Sequence, residues 1–112
     1  MQTDFLIIGQ GICGTFLSWY LHKAGYSVLV IDEQRPNTAS GTAAGIINPV
    51  TGRRIVKTWL IDEVLPFAQQ AYAELGAELQ ITAIRQKNIV DFFPSAQMRH
   101  AFLDRHANDT QY

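Results

Sequence analysis

The segment that most constrains this chain is Gly9-Gln10-Gly11-Ile12-Cys13-Gly14, set between a short apolar run and a helical pattern. Phe5 to Ile8 is a four-residue apolar run that stops at Gly9, the mark of a buried strand. From Thr15 to Ala24, residues Phe16, Leu17, Tyr20, Leu21 and Ala24 recur at helical spacing, and Gly25 supplies a stop. Ser27 to Ile31 is again β-branched and apolar and ends at Asp32-Glu33. Strand, glycine turn, helix and strand in so short a span form one βαβ unit. Its two strands are expected to be parallel, with a right-handed crossover.

The glycines have separate physical tasks. Gly9 permits the tight turn, Gly11 lets the backbone approach a pyrophosphate, and Gly14 allows the helix to lie close to the strand. The free N–H groups and positive dipole at the helix start favour an anion there. Ser18, one turn on, is small enough to keep the helix near the sheet. Asp32 follows Gly14 by 18 positions and stands at the end of the second strand, where a carboxylate can accept ribose hydroxyls. That negative charge would repel a 2′-phosphate, so NADP is disfavoured despite Arg35. NAD and the adenine half of FAD satisfy the fingerprint equally.

Composition narrows the class further. The chain has 112 residues, 9 basic and 10 acidic, so its net charge of -1 gives no electrostatic reason to expect nucleic acid or an anionic membrane. One cysteine makes neither an intramolecular disulfide nor a cysteine-rich metal site, which suits a reducing cytoplasm. No apolar run approaches the roughly 18 to 20 residues of a membrane span. The Met-Gln-Thr-Asp start lacks the basic residues and cleavage site of a secretory signal.

Downstream, Arg35 to Gly52 is rich in small and polar residues and is expected to be loop with a short turn of helix. Within it, Ala39-Ser40-Gly41-Thr42-Ala43-Ala44-Gly45-Ile46-Ile47-Asn48-Pro49 offers small side chains for close approach to a flat or anionic ligand, with hydroxyls at Ser40 and Thr42. A plain flexible loop has the same composition. Apolar residues at 61, 64, 65, 68, 72 and 75 predict a helix ended by Gly76, with Pro66 tolerated if it begins near Asp62. Leu79 to Ile84 and Asn88 to Phe93 are expected to form an antiparallel hairpin. Pro94-Ser95 then opens a last helix carrying Met98, Ala101, Phe102 and His106 on one side.

The order of these features resembles the D-amino-acid oxidase family of FAD-dependent oxidoreductases, which includes glycine oxidase and the flavin domain of a tRNA-modifying enzyme. The resemblance rests on Gly9, Gly11, Gly14, Ser18, Leu21, Gly25, Val28, Val30 and Asp32, and on the Ser-x-x-Ala-Ala-Gly-Ile stretch from Ser40 to Ile46. Ser18 stands where alanine is commoner. Asn48 to Arg54 is similar to bacterial members of the family, and the specific motifs cover residues 4 to 54. The resemblance implies that Ile12 and Cys13 line the pyrophosphate turn and that Asp32 and Glu33 hold the adenosine ribose. It places Ser40 and Gly41 along the phosphates and Ala44, Gly45 and Ile46 near the isoalloxazine ring. FAD is the implied cofactor and an amine or amino acid the implied small-molecule substrate, which gives up a hydride to the flavin.

The expected fold class is therefore α/β. Residues 1–57 would be the N-terminal βαβ of a Rossmann-type FAD-binding domain, and residues 58–112 the start of a mixed α+β substrate region of helix, hairpin and helix. In the family the remaining sheet strands return after the substrate region, so the domain is expected to be incomplete and inactive alone. Uncovered strand edges would then favour self-association or pairing with another chain. An NAD-dependent dehydrogenase, a tRNA-modifying flavin oxidase and a cofactor-less interaction module are the alternatives. Cys13 reads as a small buried hydrophobe, and His22, His100 and His106 as surface or helix-end residues. Arg53, Arg54 and Lys57 read as solvated charge, with a substrate carboxylate or RNA as the functional option. Trp59, Phe67 and Tyr72 read as residues that pack between domains rather than stack on a cofactor. The sequence identifies no catalytic residue and no metal ligands.

Overall fold

A computed structural model describes residues 2–51 and 55–110. The chain divides into two compact units, Met1–Ile46 and Ile47–Tyr112.

The first unit contains strand β1 (Phe5–Ile8), helix α1 (Ile12–Lys23), strand β2 (Val28–Ile31) and a one-turn helix α2 (Ala39–Thr42). β1 and β2 pair in parallel, with Phe5 opposite Val28 and Ile8 opposite Ile31. This is the βαβ unit read from the apolar runs. Alternation along β1 puts Ile7 on the face covered by α1, where it is 8% exposed, whereas Ile8 on the opposite face is 83% exposed.

Helix α1 starts earlier than its apolar spacing suggests, directly after Gly11, because the glycine turn feeds straight into helical hydrogen bonds such as Thr15 N–H to the Gly11 carbonyl. Its inward face also differs from expectation: Trp19 is buried, while Leu17 and Tyr20 stay exposed. The indole meets Phe16 edge-on at 6.1 Å and Tyr20 at 4.8 Å, and the Lys23 ammonium lies 4.5 Å over its ring. Neighbours on its own helix thus supply part of the cover. The helix ends in a Schellman motif: Tyr26 N–H reaches the Leu21 carbonyl, Gly25 N–H reaches that of His22, and Gly25 takes φ +87°. His22 and Lys23 lie in the last turn, where positive charge suits the dipole.

The second unit opens with a short antiparallel pair, β3 (Val50–Thr51) and β4 (Val56–Lys57), which the sequence did not suggest. Helix α3 (Ile61–Leu79) and helix α4 (Ala96–Asn108) follow. Pro66 is the sixth residue of α3, so its missing N–H removes one intrahelical bond just beyond the first turn. Ser95 caps α4 by accepting the Met98 N–H at 3.2 Å. Lys57 lies 3.3 Å from Asp62 and 3.4 Å from Asp109, joining β4 to the start of α3 and the end of α4. Burial pushes the Lys57 ammonium down, but the two carboxylates outweigh it and leave its pKa above the usual lysine value.

Two expectations fail in this unit. Gly76 does not end α3; it is buried inside the helix, which runs on to Leu79. A Cβ there would lie 2.8 Å from the Ile81 carbonyl oxygen and 3.1 Å from the Ala83 Cβ, so glycine is required by the chain folding back over the helix. The hairpin expected over residues 79–93 is not formed: Leu79 belongs to α3, and residues 82–93 have no regular structure. An isolated two-stranded ribbon is marginal in water without a third strand or a covering helix. Phe93 instead packs on Phe102 of α4, with ring centroids 5.1 Å apart. Trp59 is 84% exposed. No helix among the described residues is long and apolar enough to cross a membrane.

Candidate functional site: a glycine cradle at the strand ends

Gly9 leaves β1 with φ +97°, a conformation that side-chain-bearing residues rarely adopt, and its N–H donates to the Ile31 carbonyl at 2.8 Å. The chain can then reverse into α1 with its first amides facing the strand ends. Gly14 sits against this turn. A Cβ on Gly14 would overlap the Gly9 carbonyl oxygen and lie 3.5 Å from Ile7 Cγ2. Glycine is thus the condition for the close approach of α1 to β1.

The N-cap of α1 is Gly11, which offers no capping side chain, and the first turn contains no acidic residue. Its amides therefore form a positive end without a built-in carboxylate to oppose a phosphate. Ile12 N–H donates to Ser40 Oγ at 3.0 Å, which brings α2 to the same place. Gly9, Gly11, Ile12, Cys13, Gly14 and Ser40 line a cavity of about 420 Å³, together with Ile7, Ile8 and Leu17. Cys13 is exposed there rather than buried, because α1 begins at Ile12 and leaves Cys13 on the free end of the helix.

Asp32 lies just past β2 and binds two backbone amides. Oδ2 accepts Gln10 N–H at 2.6 Å and Oδ1 accepts Gln34 N–H at 2.7 Å. These bonds, with that from Gln10 the stronger influence, hold its pKa below the usual carboxylate value of 3.8. Each carboxylate oxygen keeps a further lone pair for a hydroxyl donor. Glu33 points elsewhere and pairs with Arg35 at 2.8 Å, both side chains exposed.

The structure therefore gathers six of the sequence-selected residues around one cavity and sets Asp32 beside them through Gln10. It does not bring Glu33, Gly41, Ala44, Gly45 or Ile46 to the cavity lining. Gly41 donates its N–H to Thr38 Oγ at 3.1 Å, Gly45 takes φ +67°, and Ile46 is exposed. Sequence reasoning missed Gln10 and Gln34, which act only through their amides and so carry no side-chain signal. It also missed Leu17 as a cavity residue, although its position one turn beyond Gly14 was available. Arg53 and Arg54 lie outside the described residues, while Lys57 is engaged by Asp62 and Asp109.

The donor set fits a dinucleotide. It offers a glycine turn in which Gly14 leaves no room for a Cβ, a helix start with no acidic residue in its first turn, a hydroxyl at that start, and a carboxylate at the adjoining strand end. The amides of Ile12 and its neighbours would face the diphosphate, and Asp32 the ribose.

Comparison with known proteins agrees. Over 56 residues, 50% of this chain, the sequence is 38% identical to a protein of Bacillus subtilis (strain 168) described as the uncharacterized oxidoreductase YurR, and that stretch is 15% of the relative's length. No solved structure matches the chain. The family model for FAD-dependent oxidoreductases, DAO, matches residues 4–111. The chain belongs to this FAD-binding family of oxidoreductases.

Proposed function

We propose that this chain supplies the adenosine-diphosphate cradle of a FAD-dependent oxidoreductase of the D-amino-acid oxidase type, acting on an amine or amino acid. The observation that carries the cofactor half is the meeting of Gly9, Gly11 and Gly14 with Ser40 and Asp32 at the ends of two parallel strands. The α1 amides would orient the diphosphate, while Asp32 would fix the ribose and exclude a 2′-phosphate by charge. When bound, FAD supplies a two-electron acceptor for hydride removal from the carbon bearing the amine. The substrate half is supported by the resemblance of the whole motif order, from Gly9 to Asp32 and from Ser40 to Ile46, to the D-amino-acid oxidase family.

Titration of the chain with FAD and with NAD, read by flavin fluorescence and by equilibrium dialysis, tests the cofactor half. Saturable FAD binding that Gly11→Asp abolishes is expected, since a carboxylate at the cradle would repel the diphosphate. A folded chain that ignores FAD, or that prefers NAD, would overturn it. For the substrate half, a panel of amines and amino acids is offered to the whole flavoprotein under anaerobic conditions. Bleaching of the flavin by one class identifies it, and no bleaching by any sinks that part.

A further inference from the structure

The start of α1 already has an occupant. Ser40 Oγ takes the Ile12 N–H at 3.0 Å from 28 residues away. The hydroxyl is held there by α2, whose own start is fixed by Thr38: its Oγ accepts the Gly41 N–H at 3.1 Å, and its carbonyl accepts the Thr42 hydroxyl at 2.9 Å. Gly11 makes the approach possible, since a Cβ on it would stand 3.1 Å from Ser40 Oγ. The glycine that would admit a phosphate thus also admits the serine. One N–H cannot give a well-aligned bond to two acceptors at once.

We propose that the Ser40 hydroxyl is an internal cap on α1 that must release the Ile12 amide before a diphosphate can take it. This rests on the dinucleotide reading of the same site. Nucleotide binding then competes with the docking of α2, and the loop from Thr38 to Ile46 responds to cofactor at its phosphate end first. Ser40 is a positioning residue: it sets whether the first amide of α1 is available.

The test uses the ¹⁵N-labelled chain, with amide exchange at Ile12 followed by NMR and ADP as the probe, since ADP carries the part shared by FAD and NAD. Ser40→Ala should speed Ile12 exchange about fivefold without ligand and tighten ADP binding by a similar factor, the equivalent of one ordinary hydrogen bond. Ser40→Thr keeps the hydroxyl and should leave both near the wild-type values. Unchanged Ile12 exchange in Ser40→Ala overturns the cap. Faster exchange with weaker ADP binding overturns the competition and makes Ser40 a phosphate ligand, leaving the dinucleotide reading intact. Faster exchange with no ADP binding by either protein overturns the competition and that reading together.

Discussion

Asp32 accepts the backbone N–H of Gln10 at 2.6 Å across 22 residues of sequence, so one carboxylate ties the end of β2 to the glycine turn that follows β1. Its other oxygen, on Gln34 N–H at 2.7 Å, steadies the chain leaving β2, where Gln34 itself takes φ +52°. The residue selected for contact with ribose is therefore also part of the scaffold that shapes the cradle.

Acid should loosen this tie. Both amides favour the ionised carboxylate and lower its folded pKa below 3.8. Its contribution is then fully present above the unfolded value and is lost as pH falls through the lowered folded one. An NMR titration should put the Asp32 midpoint below 3.8, with the Gln10 amide shifting at the same pH. Asp4, held by the Ser27 hydroxyl and amide, should behave likewise. Asp32→Asn should remove its share of the acid sensitivity. A midpoint at or above the ordinary value would contradict the hydrogen bonding described.

Gly14→Ala should be the most damaging single methyl in the first unit. The added carbon overlaps backbone at Gly9 rather than a movable side chain, so relief requires α1 to shift from β1. Urea unfolding should show a loss of about 3 kcal/mol, the upper part of the usual overpacking range. Gly11→Ala meets only the Ser40 hydroxyl and should cost about 1 kcal/mol through the Ile12 bond. Equal effects of the two substitutions would refute this ranking.

The first unit was legible in the sequence because its signals were short and mutually consistent. Phe5–Ile8 and Val28–Ile31 are apolar runs bounded by glycine or acid, and Gly9, Gly11 and Gly14 fix the turn between β1 and α1. Asp32 was found as a carboxylate at a strand end, but its grip on Gln10 and Gln34 was hidden, since amides are common to every residue. The second unit misled where one signal served two physical causes. Gly76 looks like a helix stop, yet here it is small because Ile81 and Ala83 lie against it. Asn88 to Phe93 has strand composition, but composition supplies no neighbouring strand.

Gln80 is the residue that does end α3, and it does so with φ +57°. Its N–H donates to the Ala77 carbonyl and that of Ile81 to Gly76, the bonding that glycine usually makes at such ends. Gln80→Gly should relieve the left-handed strain and raise stability by about 0.5–1 kcal/mol after the entropy glycine adds to the unfolded chain. Thermal unfolding checks this, and a lower Tm would show that the side chain earns its place by a contact.

The two tryptophans should report the two units separately. Trp19 is 8% exposed and Trp59 84%. Iodide should quench Trp19→Phe protein, which keeps Trp59, far more strongly than Trp59→Phe protein. Trp59→Phe should change stability by less than about 0.5 kcal/mol, whereas Trp19→Ala should cost about 3 kcal/mol. Equal quenching of the two variants would mean that the aromatic cluster on α1 is not formed.

The level pairing of Ile8 with Ile31 has an evolutionary corollary. Both chains leave the sheet at one height, so Gly9 and Asp32 are addressed from the same datum whatever lies between them. A residue inserted near Gly25 could be absorbed at the far end of α1 without moving the cradle, whereas one inserted between Val28 and Asp32 would turn the carboxylate to the opposite face. Length variation should therefore be tolerated at one end of this unit and forbidden at the other.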